Sequence, residues 1–349
     1  MTTCALLLLV AALAYANGAN DNSKGIATLV GYGAAKPIQA LIFAAITTSI
    51  GAAVSFWFSG GLLRSFSTAL FGEGTILTTS FFICVLIGAF GWVIIATFTG
   101  LPVSTTHAIT GALIGAGLVA MGRNKIQWDV LGIAFVRPLL LGPVISLVTV
   151  YILAWPIVFI VRQLAPQREL VVSQSIVAIG TSSAVLVESE TSAETKTVSP
   201  TANAIHWISG GLIGFARGWN DTPKIAALAL IVVPSKMSLA FVIVTIAMAV
   251  GGLISARRVL ETMAGKLTPL PLPESLTASL ATAALVSLAS WKGLPVSTTH
   301  VSTGAIIGAG LKNNPREVKW KKVMEILLSW VVTLPAAAAL AAFAELLVR

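Results

Sequence analysis

Charge is scarce in this 349-residue sequence: Asp, Glu, Lys and Arg together make up 10% of it, against 56% hydrophobic residues. Soluble domains run near 25% charged, so this composition excludes an ordinary water-facing globule. Cysteine is nearly missing too, with Cys4 and Cys84 both inside apolar runs. Thiols so placed pack as small hydrophobes, which excludes a disulfide scaffold and a cysteine metal site. Nucleotide and hydrolase signatures are lacking as well. There is no Walker loop, no Gly-x-Gly-x-x-Gly fingerprint and no Gly-x-Ser-x-Gly elbow. ATP-driven work and the commoner enzyme chemistries are thereby set aside, and the chain is read as a non-enzyme that needs no organic cofactor.

What fills the chain instead is apolar sequence. About 20 such residues span a bilayer, and ten runs are read as candidates, at 3–33, 37–61, 77–99, 103–121, 130–161, 203–234, 237–256, 275–291, 296–311 and 323–348. Several contain Gly, Pro or Asn-Asp pairs, which predicts broken half-helices. The formal charge of +9 sits in loops rather than in a nucleic-acid footprint. Arg162, Arg168, Arg257, Arg258, Lys266, Lys312, Arg316, Lys319, Lys321 and Lys322 fall on one face with Lys36. The opposite face holds fewer basic residues, so the positive-inside rule makes the richer face cytoplasmic. A multi-pass cell-membrane protein with both termini outside is the expectation.

The chain also repeats itself. Gly100-Leu-Pro-Val-Ser-Thr-Thr-His-Ala-Ile-Thr-Gly-Ala-Leu-Ile-Gly-Ala-Gly-Leu118 returns at 293–311, identical at 16 of 19 positions. Upstream of each copy lies a second pair, Ala16-Asn-Gly-Ala-Asn-Asp-Asn-Ser-Lys24 and Ala216-Arg-Gly-Trp-Asn-Asp-Thr-Pro-Lys224. Trp128 and Trp320, and Pro143 and Pro335, extend the correspondence. The organisation read from this is a first transmembrane repeat over 1–163, a linker over 164–202, and a second repeat over 203–349. Five runs per half is an odd number, so the second half enters from the opposite side. Inverted-topology repeats follow, with matched motifs meeting near the bilayer middle. The linker is rich in Ser, Thr and Glu and is read as cytoplasmic, with a short β-like piece at 170–187.

In Pro102-Val-Ser104-Thr105-Thr106-His107, proline suits a first helical turn and Ser or Thr a cap. Gly111, Gly115 and Gly117 suit close helix packing. The motif therefore reads as a helix starting inside the membrane, its hydroxyls and free N–H groups forming an anion site. Ser297, Thr298 and Thr299 supply a second such end, and six hydroxyls suit a tetrahedral oxyanion. The bland alternative is that they merely cap and pack. His107 and His300 are read as packing hydrogen-bonders, and Thr110 and Thr303 as donors to backbone carbonyls.

Asn20-Asp21 and Asn220-Asp221 put carboxylates into apolar segments, where they are functional by default. Oxygen ligands of this kind suit hard cations, with Gly18 and Gly218 expected to let the backbone break beside them. A bare carboxylate repels an oxyanion. Either cations sit between them, or the anion carries a proton to donate, as hydrogen phosphate does and sulfate does not. The structural alternative is simple pairing of Asp21 with Lys24 and Asp221 with Lys224.

On these motifs, and on Arg257-Arg258-Val-Leu-Glu-Thr-Met followed by Lys266-Leu-Thr-Pro, the chain resembles the inorganic phosphate transporter (PiT) family. The resemblance covers nearly everything outside the linker. It implies an all-α multi-pass fold and a symporter that takes up inorganic phosphate on a cation gradient, with sodium the expected coupling ion and protons the alternative. Sulfate or another oxyanion is the alternative cargo. It further implies that Asp21, Ser104, Thr105, Thr106, Asp221, Ser297, Thr298 and Thr299 line the substrate site. Sodium is expected at Asn20, Asp21, Asn220 and Asp221, and a homodimer in the bilayer. Two departures stand out. Many members read Asn-Asp-Val-Ala-Asn-Ala where this chain has Asn20-Asp21-Asn22-Ser23-Lys24-Gly25, and many carry glutamate where this one has Thr48.

Overall fold

Long runs of Ala, Leu, Val and Ile fold as helices because a backbone withdrawn from water must satisfy its hydrogen bonds within the segment. The computed structural model describes residues 2–58, 60–67, 69–71, 75–164, 200–230 and 232–349. Among these it is helical, with no strand beyond one isolated bridge between Phe71 and Ile126. The first half holds α1 (Thr2–Asp21), a 3-10 turn (Asn22–Gly25), α2 (Ala27–Tyr32), α3 (Pro37–Phe58), α4 (Gly60–Ser67), α5 (Thr79–Phe98) and α6 (Thr105–Ala120). A short α7 (Trp128–Val130) then runs through a π-helical stretch (Leu131–Val136) into α8 (Arg137–Leu164). The second half repeats this order as α9 (Pro200–Leu230), α10 (Met237–Ile254), α11 (Arg257–Gly265), α12 (Leu272–Trp291), α13 (Thr298–Asn313) and α14 (Trp320–Val348). Of the predicted linker, Leu164 and residues 200–202 are helical. Its remainder, with the β-like piece, lies outside the described residues.

Each of the ten apolar runs corresponds to a helical element, yet seven described segments are long and apolar enough to cross a membrane. The other three differ for identifiable reasons. Helix α9 carries Arg217, Asp221 and Lys224 within its 31 residues. Helices α6 and α13 have 16 residues each, about 24 Å, and fall short of a hydrocarbon layer of roughly 30 Å.

The outer surface is apolar, and small residues line the helix faces where backbones approach most closely. On α3, Ile38, Ile42, Ile46 and Ile50 are exposed at four-residue spacing, while Ala40, Ala44, Thr48, Gly51, Ala52 and Ser55 face inward. In lipid this is the expected order, because association there depends on close backbone packing rather than on hiding large side chains from water. Cys84 is buried, whereas Cys4 is exposed on the outside of α1, so only one of the two thiols packs as predicted.

The halves pack reciprocally. A Cβ at Gly18 would overlap the carbonyl oxygen of Met248 on α10, and one at Gly218 would overlap that of Thr48 on α3. Gly251 meets Tyr15 as Gly51 meets Phe215. Each contact recurs two hundred residues along the chain. Gly111 and Gly115 of α6 lie against Leu334 and Ala338 of α14, and Gly304 and Gly308 of α13 against Pro143 and Leu147 of α8. Close approach is therefore what Gly18 and Gly218 supply. The expected break does not occur at either: α1 continues to Asp21 and α9 runs on through Pro223. The first-half backbone changes only after the aspartate, in the 3-10 turn.

Candidate functional site

The site begins where α5 and α12 stop. Gly100 (φ 73°) and Gly293 (φ 68°) take the left-handed conformation open to glycine. Leu101 N–H then reaches the Ala96 carbonyl at 2.9 Å and Leu294 N–H the Ala289 carbonyl at 2.9 Å, the six-to-one closure of a Schellman ending. The chain runs extended for a few residues before a new helix starts. Pro102 lies in this extended stretch, not in the first turn of α6, and its carbonyl accepts from Trp330 Nε1 at 3.1 Å. The capping place is taken by Ser104, whose extended backbone lets its Oγ accept from His107 N–H at 3.1 Å. Ser297 does the same for His300 N–H at 3.2 Å.

The two helix starts meet. Thr106 Oγ1 donates to the Val296 carbonyl at 3.2 Å, and Thr299 Oγ1 to the Val103 carbonyl at 2.7 Å. His107 and His300 approach with ring centres 4.4 Å apart. Both act in packing: His107 Nδ1 bonds Ser104 Oγ at 2.8 Å, while His300 donates to the Leu139 carbonyl and stacks on Trp330. Thr110 bonds the Thr106 carbonyl as expected. Thr303 instead turns to Met263 Sδ of α11 at 3.9 Å.

The Asn-Asp pairs join this junction. Asn17 Nδ2 lies 3.1 Å from Asp21 Oδ2, 3.3 Å from Asp221 Oδ2 and 3.0 Å from Thr105 Oγ1, linking both aspartates to the hydroxyl cluster. Asn20 braces the interrupted segment. It donates to Thr97 Oγ1 and to the Leu101 carbonyl, both at 3.0 Å, and accepts from Val103 N–H. Asn220 holds the Val296 carbonyl at 3.1 Å, lies 3.4 Å from Thr298 Oγ1, and accepts from Ser290. The unwound carbonyls thus come from Val103 and Val296, not from the Asn-Asp segments.

Both Asp–Lys pairings are present, Asp21 with Lys24 and Asp221 with Lys224 at 3.3 Å. A third buried cation joins them. Arg217 donates to Asn17 Oδ1 at 3.0 Å, Asn22 Oδ1 at 3.2 Å and Thr48 Oγ1 at 3.1 Å, with its Nε 3.8 Å from Asp221 Oδ2. Neither Asn17 nor Arg217 was singled out from sequence. The signal was there: each stands four residues before its aspartate in the duplicated motif, a spacing that shares a helix face. Three basic side chains against two carboxylates leave this centre with an excess of positive formal charge. Every predicted site residue is at most 4% exposed, so the centre is enclosed by protein in this structure.

A bundle of membrane-length helices, apolar outside and enclosing a polar centre shared by duplicated halves, defines a polytopic membrane carrier. Comparison with known proteins gives the particular family. Residues 17–341 match the phosphate transporter family, and the chain belongs to that family, whose members are transporters rather than enzymes. It is 30% identical over 359 residues to the "Probable low-affinity inorganic phosphate transporter" of Rhizobium meliloti (strain 1021), covering 97% of this chain and 96% of the relative. The protein of the same name in Bacillus subtilis (strain 168) is 29% identical over 352 residues, covering 97% and 95%. The fold matches a solved structure, "The sodium-dependent phosphate transporter", with a TM-score of 0.80 over 99% of this chain and 98% of that one, at 23% identity.

Proposed function

We propose that this chain takes up inorganic phosphate across the cell membrane as a secondary symporter working by alternating access on a cation gradient. The observation that carries this is the meeting of α6 and α13, two hydroxyl-capped helix starts, at a buried centre with excess positive charge. Helix starts present free N–H groups and the positive end of the macrodipole, which favours an anion. Ser104, Thr105, Thr106, Ser297, Thr298 and Thr299 surround the oxyanion. Asp21 and Asp221 accept a hydrogen bond from the P–OH that hydrogen phosphate carries and sulfate lacks. The halves are inverted repeats, and one rocks against the other to open the enclosed centre to each side in turn. Both termini face outward, and the basic loops face the cytoplasm.

Uptake of labelled phosphate into proteoliposomes, with and without an imposed sodium or proton gradient, tests the proposal. Accumulation that follows a gradient is expected. Accumulation under neither gradient refutes it, and competition by sulfate but not by unlabelled phosphate assigns the site to another oxyanion.

A further inference from the structure

We propose that the ammonium groups of Lys24 and Lys224 occupy the positions a coupling cation would take, so that this chain handles its anion without binding sodium at the Asn-Asp pairs. Lys24 Nζ is ringed by Asp21 Oδ1, Thr299 Oγ1, the Val103 carbonyl at 3.0 Å and Asn20 Oδ1 at 3.3 Å. Lys224 Nζ is ringed by the Val296 carbonyl at 2.7 Å, Thr106 Oγ1 at 2.9 Å and Asp221 Oδ1 at 3.3 Å. Carboxylate, hydroxyl and unwound backbone carbonyl oxygens are the donor set of a hard metal cation. Here the same oxygens turn toward a cation fixed to the chain.

Three features make the ammonium the resident of each cage rather than a neighbour of it. Its three donors are matched by three or four oxygens. Both lysines are 1% exposed, so neither has its head group in solvent. Each cage also draws on both halves, Lys24 reaching Thr299 of α13 and Lys224 reaching Thr106 of α6. A sodium ion would have to displace a like charge that is already bonded. Nor is sodium needed to offset the carboxylates, since Arg217 beside Asp221 adds a third fixed positive charge. The residues at Asn20, Asp21, Asn220 and Asp221 therefore suit a tethered ammonium and do not leave an open sodium site.

Two measurements on the wild-type full chain test this. In the first, detergent-purified protein is dialysed against radioactive sodium in a choline background. No saturable sodium binding is expected; saturable binding that disappears in Asp21→Asn or Asp221→Asn overturns the proposal. In the second, phosphate uptake is measured in proteoliposomes at one fixed pH gradient and membrane potential, with sodium or with choline. A coupled ion strengthens its partner's binding by about 5-fold or more. The KM for phosphate is expected to be the same in both salts, and a KM lower in sodium by about that factor refutes the tethered-cation assignment. The uptake measurement rests on the phosphate reading above. A preparation that moves no phosphate under any gradient refutes that reading instead, and sodium dialysis then decides this one alone.

Discussion

Lys224→Met and Asp221→Asn should each destabilise the protein, unequally, and should cost less together than separately. The two charges lie 3.3 Å apart on side chains that are 2% and 4% exposed. At an effective dielectric near 20 their attraction is about 5 kcal/mol. Arg217 Nε, 3.8 Å from Asp221, adds about 4 kcal/mol on the same scale. Lys224→Met leaves Asp221 with that second partner, so its loss sits near the lower end of the roughly 3–5 kcal/mol typical of a broken buried pair. Asp221→Asn strips the counter-charge from Lys224 and Arg217 together and sits near the upper end. In the double variant no carboxylate remains stranded, and its loss should fall short of the summed single losses by about 3 kcal/mol. Reversible unfolding of the detergent-purified variants, followed by tryptophan fluorescence, measures all four corners of the cycle. Losses that add to within about 0.5 kcal/mol, or Lys224→Met costing more than Asp221→Asn, would refute the pairing described.

Other consequences can be checked singly. Asp21→Asn should abolish gradient-driven phosphate uptake while the protein still inserts in the membrane, because Asn17 ties this carboxylate to the centre; wild-type uptake by that variant would remove Asp21 from the mechanism. Gly18→Ala and Gly218→Ala each drive a methyl group into a carbonyl of the facing helix and should cost about 1–3 kcal/mol. Gly265→Ala, where a Cβ meets open space, is the control and should leave the melting temperature nearly unchanged. Thr299→Val removes the hydroxyl shared by Lys24 and the Val103 carbonyl and should cost about 1.5–3 kcal/mol as a charge-linked hydrogen bond. Thr110→Val removes only a bond within its own helix and should be milder in the same unfolding assay.

Much of the centre was legible because duplication marks it. Two near-identical hydroxyl motifs in matched halves have little reason to persist unless they share a place, and Thr106 and Thr299 do each reach across to the other copy's backbone. The helical elements were legible for a simpler reason, since backbone in lipid must satisfy itself locally. Where the reading went astray, a local preference gave way to a distant contact. Pro102 favours a first turn, but Ser104 takes the cap and the proline carbonyl is held by Trp330. Gly18 and Gly218 permit a break, but the facing helices require their lack of a side chain instead. For Asn17 and Arg217 the four-residue spacing to Asp21 and Asp221 is visible in the sequence, whereas their contacts to Asp221 and Thr48 in the opposite half are made only by the fold.

Composition alone made this a membrane chain, and internal identity alone made it two-fold, because both are counts along the polymer that no neighbour can alter. The helix starts after Ser104 and Ser297 were likewise written locally, in the capping chemistry of Ser-Thr-Thr. Which cation faces each carboxylate was not. A lysine stem can reach in many directions, and Lys24 finds Thr299, 275 residues away, only because close-packed glycines bring the halves into register. Partner choice at this centre belongs to helix apposition, and apposition exists only once the chain has folded.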